Sequence, residues 1–249
     1  MWDLVDQIYI TTYEGCPRIE GCRKEIDHWK IPPEKLTWNI RPKMEIPDCN
    51  LSSAVTNHIS TYRDAKEKGY ANIIILEDDI IVYNPENHIP EIEYKTNYFL
   101  KNYSQEYDIF YYGYFPWSID PHYNDNGIIK MEGVFLHSYL INERFYSLFL
   151  NLDVKQCVNM CFPLSKSPHD LWVFSLQHNQ RHKSYALYPQ LVYQNNCPII
   201  LFFEKDNTRK KLFKCICDTY TNINYNWDIY NQMFYIVLLF FLLGKYFVK

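Results

Sequence analysis

The sequence predicts an α/β domain, and three observations carry that expectation. The run Asn72-Ile73-Ile74-Ile75-Leu76 is continuously apolar, the mark of a strand covered on both faces as in a parallel α/β sheet. Ahead of it, residues 52–68 place Ala54, His58, Tyr62 and Ala65 near one helical face, and Gly69 sits where a helix C-cap belongs. The 249 residues, 47% of them apolar, suit one domain that buries a full core and carries a small appendage.

The remaining elements follow in order. Residues 7–12 read as a first strand around Ile8-Tyr9-Ile10, and a polar loop with Gly15 and Pro17 leads into a mixed, helical stretch over 18–29. Pro32-Pro33 stops that helix, and 36–40 reads as a second strand. After the central apolar run, Ile80-Ile81-Val82-Tyr83 continues extended and Pro85 ends it. A helix is expected over 91–102 and a strand over 107–112, closing at Gly113. Residues 116–127 are rich in Pro, Asp and Asn and read as a loop. A further strand is expected over 133–139, then a helix over 143–150 capped by Asn142, a helix over 170–180 and a short strand over 185–188 stopped by Pro189.

Composition excludes some classes. A net charge of −4 leaves no basic field for a nucleic acid backbone. One basic cluster, Lys205, Arg209, Lys210, Lys211 and Lys214, suits a diphosphate, anionic lipid headgroups or a solvated loop. The 23 tyrosines suit carbohydrate stacking as well as a biased composition. The eight cysteines match no zinc spacing, and the first residues are acidic with no apolar signal core. The expectation is therefore free thiols in a reducing compartment, on the cytoplasmic side with no signal peptide. The C-terminal stretch differs: 233–243 is an unbroken apolar run inside a segment long enough, at about 30 Å when helical, to reach across a bilayer core. It reads as a candidate membrane anchor, a buried helix or an interfacial segment.

The chemistry concentrates at Glu77-Asp78-Asp79, directly after the apolar strand. Like charges this close raise one another's pKa, and a divalent cation relieves the repulsion. Hard oxygen ligands favour Mg²⁺ or Mn²⁺, and ligands bind outside the carboxyl ends of strands in open α/β sheets. The competing reading is an acidic turn in which one residue caps a helix and the others are solvated.

The segment Asn50-Leu51-Ser52-Ser53-Ala54-Val55-Thr56-Asn57-His58, followed by Ile75-Leu76-Glu77-Asp78-Asp79, resembles glycosyltransferase family 25. That family includes bacterial lipooligosaccharide galactosyltransferases and collagen hydroxylysine galactosyltransferases. Its pattern has a Ser-His pair on a helix, and here Asn57-His58 takes that place. Ile8-Tyr9-Ile10-Thr11-Thr12 stands where the family has a strand ending in Asn-Leu. The similarity continues through Tyr107-Asp108-Ile109-Phe110-Tyr111-Tyr112-Gly113 and Phe135-Leu136-His137-Ser138-Tyr139-Leu140-Ile141 to Asp170 and Tyr188-Pro189-Gln190-Leu191-Val192-Tyr193-Gln194, covering residues 7–196 in order.

The resemblance implies a GT-A-type fold, a nucleotide-sugar-binding mixed sheet flanked by helices. With the apolar stretch set apart as a hydrophobic tail over 227–249, the resemblance implies a transferase domain over 1–226. It implies inverting transfer of a hexose, galactose or glucose, from a nucleoside diphosphate sugar, UDP-sugar first, to a glycan or protein hydroxyl. Asp79, Asp78 and His137 would hold Mn²⁺ or Mg²⁺, and Thr11, Thr12, Glu77, Asp78, His58 and Gln194 would contact the sugar nucleotide. Asp170 would be the catalytic base. The alternative is a catalytically degenerate relative that binds a glycan or a partner.

Overall fold

The computed structural model describes residues 2–43, 52–150, 173, 177 and 182–194. The apolar run forms β3 (Asn72–Glu77), with four consecutive residues, Ile73 to Leu76, fully buried. Alternation along the strand sends Ile74 and Leu76 to one face and Ile73 and Ile75 to the other. Both faces are therefore apolar, and each is covered by helices. On the first lie Cys22 and Ile26 of α1 (Ile19–His28) with Ile89, Ile92 and Phe99 of α3 (Pro85–Tyr103). On the second lie Tyr62 and Ala65 of α2 (Ser52–Lys68) with Phe145 and Phe149 of α4 (Glu143–Phe149). This is the α/β layering expected from the sequence.

The main sheet has six strands in the order β2-β1-β3-β6-β5-β7. β1 (Gln7–Tyr13) runs parallel to both β2 (Leu36–Arg41) and β3, so the carboxyl ends of β1 and β3 lie side by side, with Thr11 opposite Glu77. β6 (Ile128–Asn142) runs antiparallel to β3, β5 (Ile109–Asp125) antiparallel to β6, and β7 (Ser184–Leu187) parallel to β5. A separate two-stranded ladder joins β4 (Ile80–Val82) to β8 (Val192–Gln194) and pairs Ile80 with Gln194. That ladder returns the late chain to the acidic turn.

Two expectations are corrected. Residues 116–127 are strand rather than loop through Asp125. The β5–β6 hairpin absorbs Pro116 and the polar residues at register shifts, and turns at Asn126-Gly127, both with positive φ (52° and 73°). Asn-Gly is the pair that such a two-residue turn requires. Pro85 starts α3 instead of only ending β4. At the first helical position its missing N–H costs nothing and its fixed φ suits the helix. The helix therefore begins at 85 rather than 91.

Asn142 caps α4 as expected: its side chain accepts from the Arg144 amide at 3.1 Å, and its Nδ2 donates to Asn72 Oδ1 at 3.2 Å. Asn142→Ala is expected to cost about 1 kcal/mol, the usual loss for an N-cap, read as a lower midpoint in urea with an unchanged slope. Among the described residues no helix is long and apolar enough to cross a membrane. The candidate tail 227–249, the basic cluster 205–214 and Asp170 lie outside the described residues.

Candidate active site

The parallel ends of β1 and β3 open onto a cleft of about 320 Å³, lined by Thr11, Thr12, Tyr13, Arg18, Lys43, Ala54, Asn57, Glu77, Asp78, Asp79 and Gln194. Of the residues expected from the sequence, it brings together Thr11, Thr12, Glu77, Asp78, Asp79 and Gln194. The three carboxylates have three different environments.

Glu77 ends β3 and is the most accessible, its side chain 24% exposed. His58 of α2 stands behind it, with Nε2 3.0 Å from Glu77 Oε1. Behind His58, Tyr139 OH lies 2.7 Å from Nδ1, and Tyr62 OH lies 2.6 Å from Tyr139 OH. A neutral His58 carrying its proton on Nε2 satisfies the chain: Tyr139 donates to Nδ1 and Nε2–H donates to Glu77. His58 thus reaches the cleft through Glu77 and does not line it.

Asp78 is buried and fully engaged. Its Oδ1 accepts from Arg18 Nε at 2.8 Å and Arg18 Nη2 at 2.5 Å; its Oδ2 accepts from Thr12 Oγ1 at 2.5 Å and from the Cys16 thiol at 2.9 Å. The expected role for Asp78 as a metal ligand therefore competes with an ion pair already in place. Burial works against the Arg18 charge, but Asp78 and Asp79 outweigh it and raise the guanidinium pKa.

Asp79 is also buried, at 8% exposure. Its Oδ2 accepts from Gln194 Nε2 at 3.2 Å, a bond made possible by the Ile80–Gln194 pairing. Its Oδ1 has no hydrogen-bond partner among the described residues. Burial first, then the neighbouring Glu77, push the Asp79 carboxyl up to about 7. A buried carboxylate with an unmatched oxygen is the kind of group a divalent cation satisfies.

No family model and no curated protein matches the chain. Among solved structures, the chain is similar to a mannose-1-phosphate geranyltransferase from Thermus thermophilus at 9% identity and a TM-score of 0.42, over 73% of this chain and 72% of that one. It is similar to a cytidylyltransferase from Leptospira borgpetersenii at 14% identity and a TM-score of 0.37, over 90% and 98%. A glycosyltransferase involved in glycosylation of the major capsid of PBCV-1 is similar at 10% identity and a TM-score of 0.35, over 74% and 94%.

His137, expected as a metal ligand, does not line the cleft. It is 2% exposed on β6, next to Gly113 and the Val192 carbonyl. Burial pushes its pKa down to about 4, so it is neutral at pH 7. The unfolded chain binds this proton near pH 6.5 and the folded chain only near 4, so the contribution to stability is full above 6.5 and falls away between 6.5 and 4. The shift corresponds to about 3 kcal/mol at most. The stability deficit of His137→Asn against wild type is therefore expected to narrow as pH falls from 7 to 4, measured by thermal melts. A deficit constant over that range would refute a buried neutral imidazole.

Sequence reasoning missed Arg18, Lys43, and the fixed amide of Asn57. Asn57 Nδ2 donates to the Thr12 carbonyl at 2.8 Å and ties α2 to the end of β1. Arg18 opens α1, and only the pairing of β1 with β3 shows that it faces the acidic turn; one basic residue after a strand gives no such signal. Among the described residues, no three His, Cys, Asp or Glu side chains gather as a metal-holding group. A Mg²⁺-like site built from one or two carboxylates and completed by substrate phosphates needs no such triad, so Asp79 fits that kind of site.

Proposed function

We propose that the protein is an inverting, metal-dependent glycosyltransferase. It moves a hexose, galactose or glucose, from a nucleoside diphosphate sugar, a UDP-sugar in the first instance, to a hydroxyl of a glycan or protein. The observation that supports this best is Asp79, a buried carboxylate with an unmatched oxygen at the end of a parallel strand, in a cleft that also holds Arg18 and Lys43. Mn²⁺ or Mg²⁺ held by Asp79 would supply Lewis-acid stabilisation of the leaving diphosphate. Gln194 orients the Asp79 carboxylate, and His58 orients Glu77, whose position suits the ribose hydroxyls. Asp170 is assigned as the base: as the acceptor oxygen bonds to the anomeric carbon and the diphosphate leaves, the hydroxyl proton passes to its carboxylate.

The engagement of Asp78 by Arg18, Thr12 and Cys16 favours a second reading, in which the sugar nucleotide or a glycan is bound without turnover. A screen of nucleoside diphosphate sugars with and without Mn²⁺ separates the two. We expect hydrolysis or transfer from a UDP-hexose that a chelator removes. No turnover of any sugar donor, with glycan binding retained, would leave the second reading standing.

A further inference from the structure

We infer that Arg18, clamped by Asp78, is the residue that receives the diphosphate of the sugar nucleotide, as an anion subsite built into the cleft wall. This deepens the function proposed above and rests on it for the identity of the ligand, though not for the existence of the subsite.

The starting point is the asymmetry of the ion pair. Asp78 is buried, its side chain 4% exposed, while the Arg18 side chain is 38% exposed and lines the cleft. Both residues line the cleft, and the guanidinium is the more exposed of the two. Arg18 has five N–H donors, and Asp78 Oδ1 takes one from Nε and one from Nη2, so three are not taken by Asp78. The plane of the guanidinium is fixed by that two-point contact, and Asp78 is itself fixed by Thr12 and Cys16. A rigid planar fork with donors to spare matches the oxygens of a phosphate group, and little side-chain freedom remains to be lost on binding.

A purely structural role explains these observations less well. Buried ion pairs are weak sources of stability, because desolvating the carboxylate offsets most of the attraction. Here Thr12 and Cys16 hold a carboxylate that takes two further donors from one arginine in the wall of a cleft. The arrangement also separates two functions that the acidic motif would otherwise share: Asp79 keeps an unmatched oxygen suited to a cation, and Asp78 serves a cationic side chain instead. Lys43 lines the same cleft, from the segment that follows β2, and adds a second positive group to the wall. A nucleoside diphosphate, with charge on both phosphates, fits a wall that offers a cation site on one side and an arginine fork on the other.

The test uses the full chain and two metal-free probes in titration calorimetry, inorganic pyrophosphate and uridine. Arg18→Gln leaves Asp78 buried without its partner and can fail to fold, so it is paired with Arg18→Gln/Asp78→Asn, which removes both charges together. In the double variant we expect pyrophosphate affinity to fall about 10- to 100-fold, the loss for charge-assisted hydrogen bonds, with uridine affinity unchanged. Arg18→Lys should recover only part of the loss, because an ammonium keeps the charge but not the fork. Wild-type pyrophosphate affinity in the double variant, or an equal loss for both probes, overturns the subsite. The two proposals fail separately. Arg18-dependent pyrophosphate binding without turnover of any sugar nucleotide removes the transferase reading and keeps the subsite. Turnover with Arg18-independent pyrophosphate binding does the reverse.

Discussion

Asp79→Asn is expected to lower metal-dependent transfer at least 10³-fold and, at the same time, to make the metal-free protein more stable above pH 7. The two outcomes have one cause. Burial and the charge of Glu77 hold the Asp79 carboxyl at about 7, well above its ordinary 3.8. A raised carboxyl pKa contributes stability that is complete below the unfolded value and is lost as pH rises through the folded one. In the metal-free protein that loss runs from about pH 4 to about 7 and amounts to roughly 4 kcal/mol. The amide is nearly isosteric, still accepts from Gln194, and carries no charge to desolvate. It also binds a divalent cation far more weakly than a carboxylate does. The wild type should therefore gain stability on addition of Mn²⁺ above pH 7, and the variant should gain little. Thermal melts with and without Mn²⁺, beside an activity assay, check both halves. A variant that melts lower than wild type at pH 8 without metal would show that Asp79 is satisfied in the empty cleft and is not held there for a ligand.

His137 titrates over the same window with the opposite sign. Its lowered pKa makes stability rise with pH between 4 and 6.5, while the raised pKa of Asp79 makes it fall. The wild type should thus show a flatter profile than either group alone would give. The Asp79→Asn variant should uncover the imidazole's upward slope.

Gly113→Ala is expected to cost about 3 kcal/mol and lower the melting temperature by roughly 10 °C. An added Cβ would lie 2.5 Å from the Val192 carbonyl oxygen and 2.7 Å from Ser138 Oγ, and closer still to His137 Nε2. Real Cβ atoms do not approach so closely, and the Val192 oxygen is backbone, so β8 must move. β8 carries Gln194 and is paired with β4 through Val82–Val192 and Ile80–Gln194. The same substitution should therefore also weaken the Gln194–Asp79 contact and metal affinity with it. Gly21→Ala is the control. Gly21 is exposed on α1 with nothing near the added atom, and the change should stabilise by up to about 1 kcal/mol. Equal melting temperatures for Gly113→Ala and wild type would mean that the sheet at β8 yields freely.

The parts of this fold that were legible in the sequence are those with a strong local cause. The apolar run of β3, the helix over 52–68 with Gly69 at φ 72°, and the Asn142 cap each follow from chemistry within a few residues. The β5–β6 hairpin was not legible, because Pro116 and Asp120 are breakers in isolation and become tolerable only at register shifts opposite β6, while Asp125 pairs with Ile128 beside the turn. The acidic turn was singled out in the sequence, where the resemblance already set Glu77 apart from Asp79, but the different environments of Asp78 and Asp79 were not legible. Nothing local to Asp78 distinguishes it from Asp79. The distinction comes from Arg18, sixty positions earlier in the chain, and Gln194, 115 positions later than Asp79. Long-range partners decide which carboxylate is neutralised and which is left open, and sequence spacing does not encode them.

The β4–β8 ladder has a consequence for how the protein is made. A chain leaving the ribosome presents β1, α1, β2, α2 and β3 long before Gln194 is polymerised, so the acidic turn is without its Gln194 partner while the next 115 residues are added. At roughly 5–20 residues per second, the 115 positions between Asp79 and Gln194 take on the order of ten seconds. Closing a loop of that length adds an entropic barrier that local elements do not face. The Gln194 contact with Asp79 should therefore be among the last to form in the nascent chain, and release of a truncated product ending before 192 would yield an acidic turn lacking the support of β8.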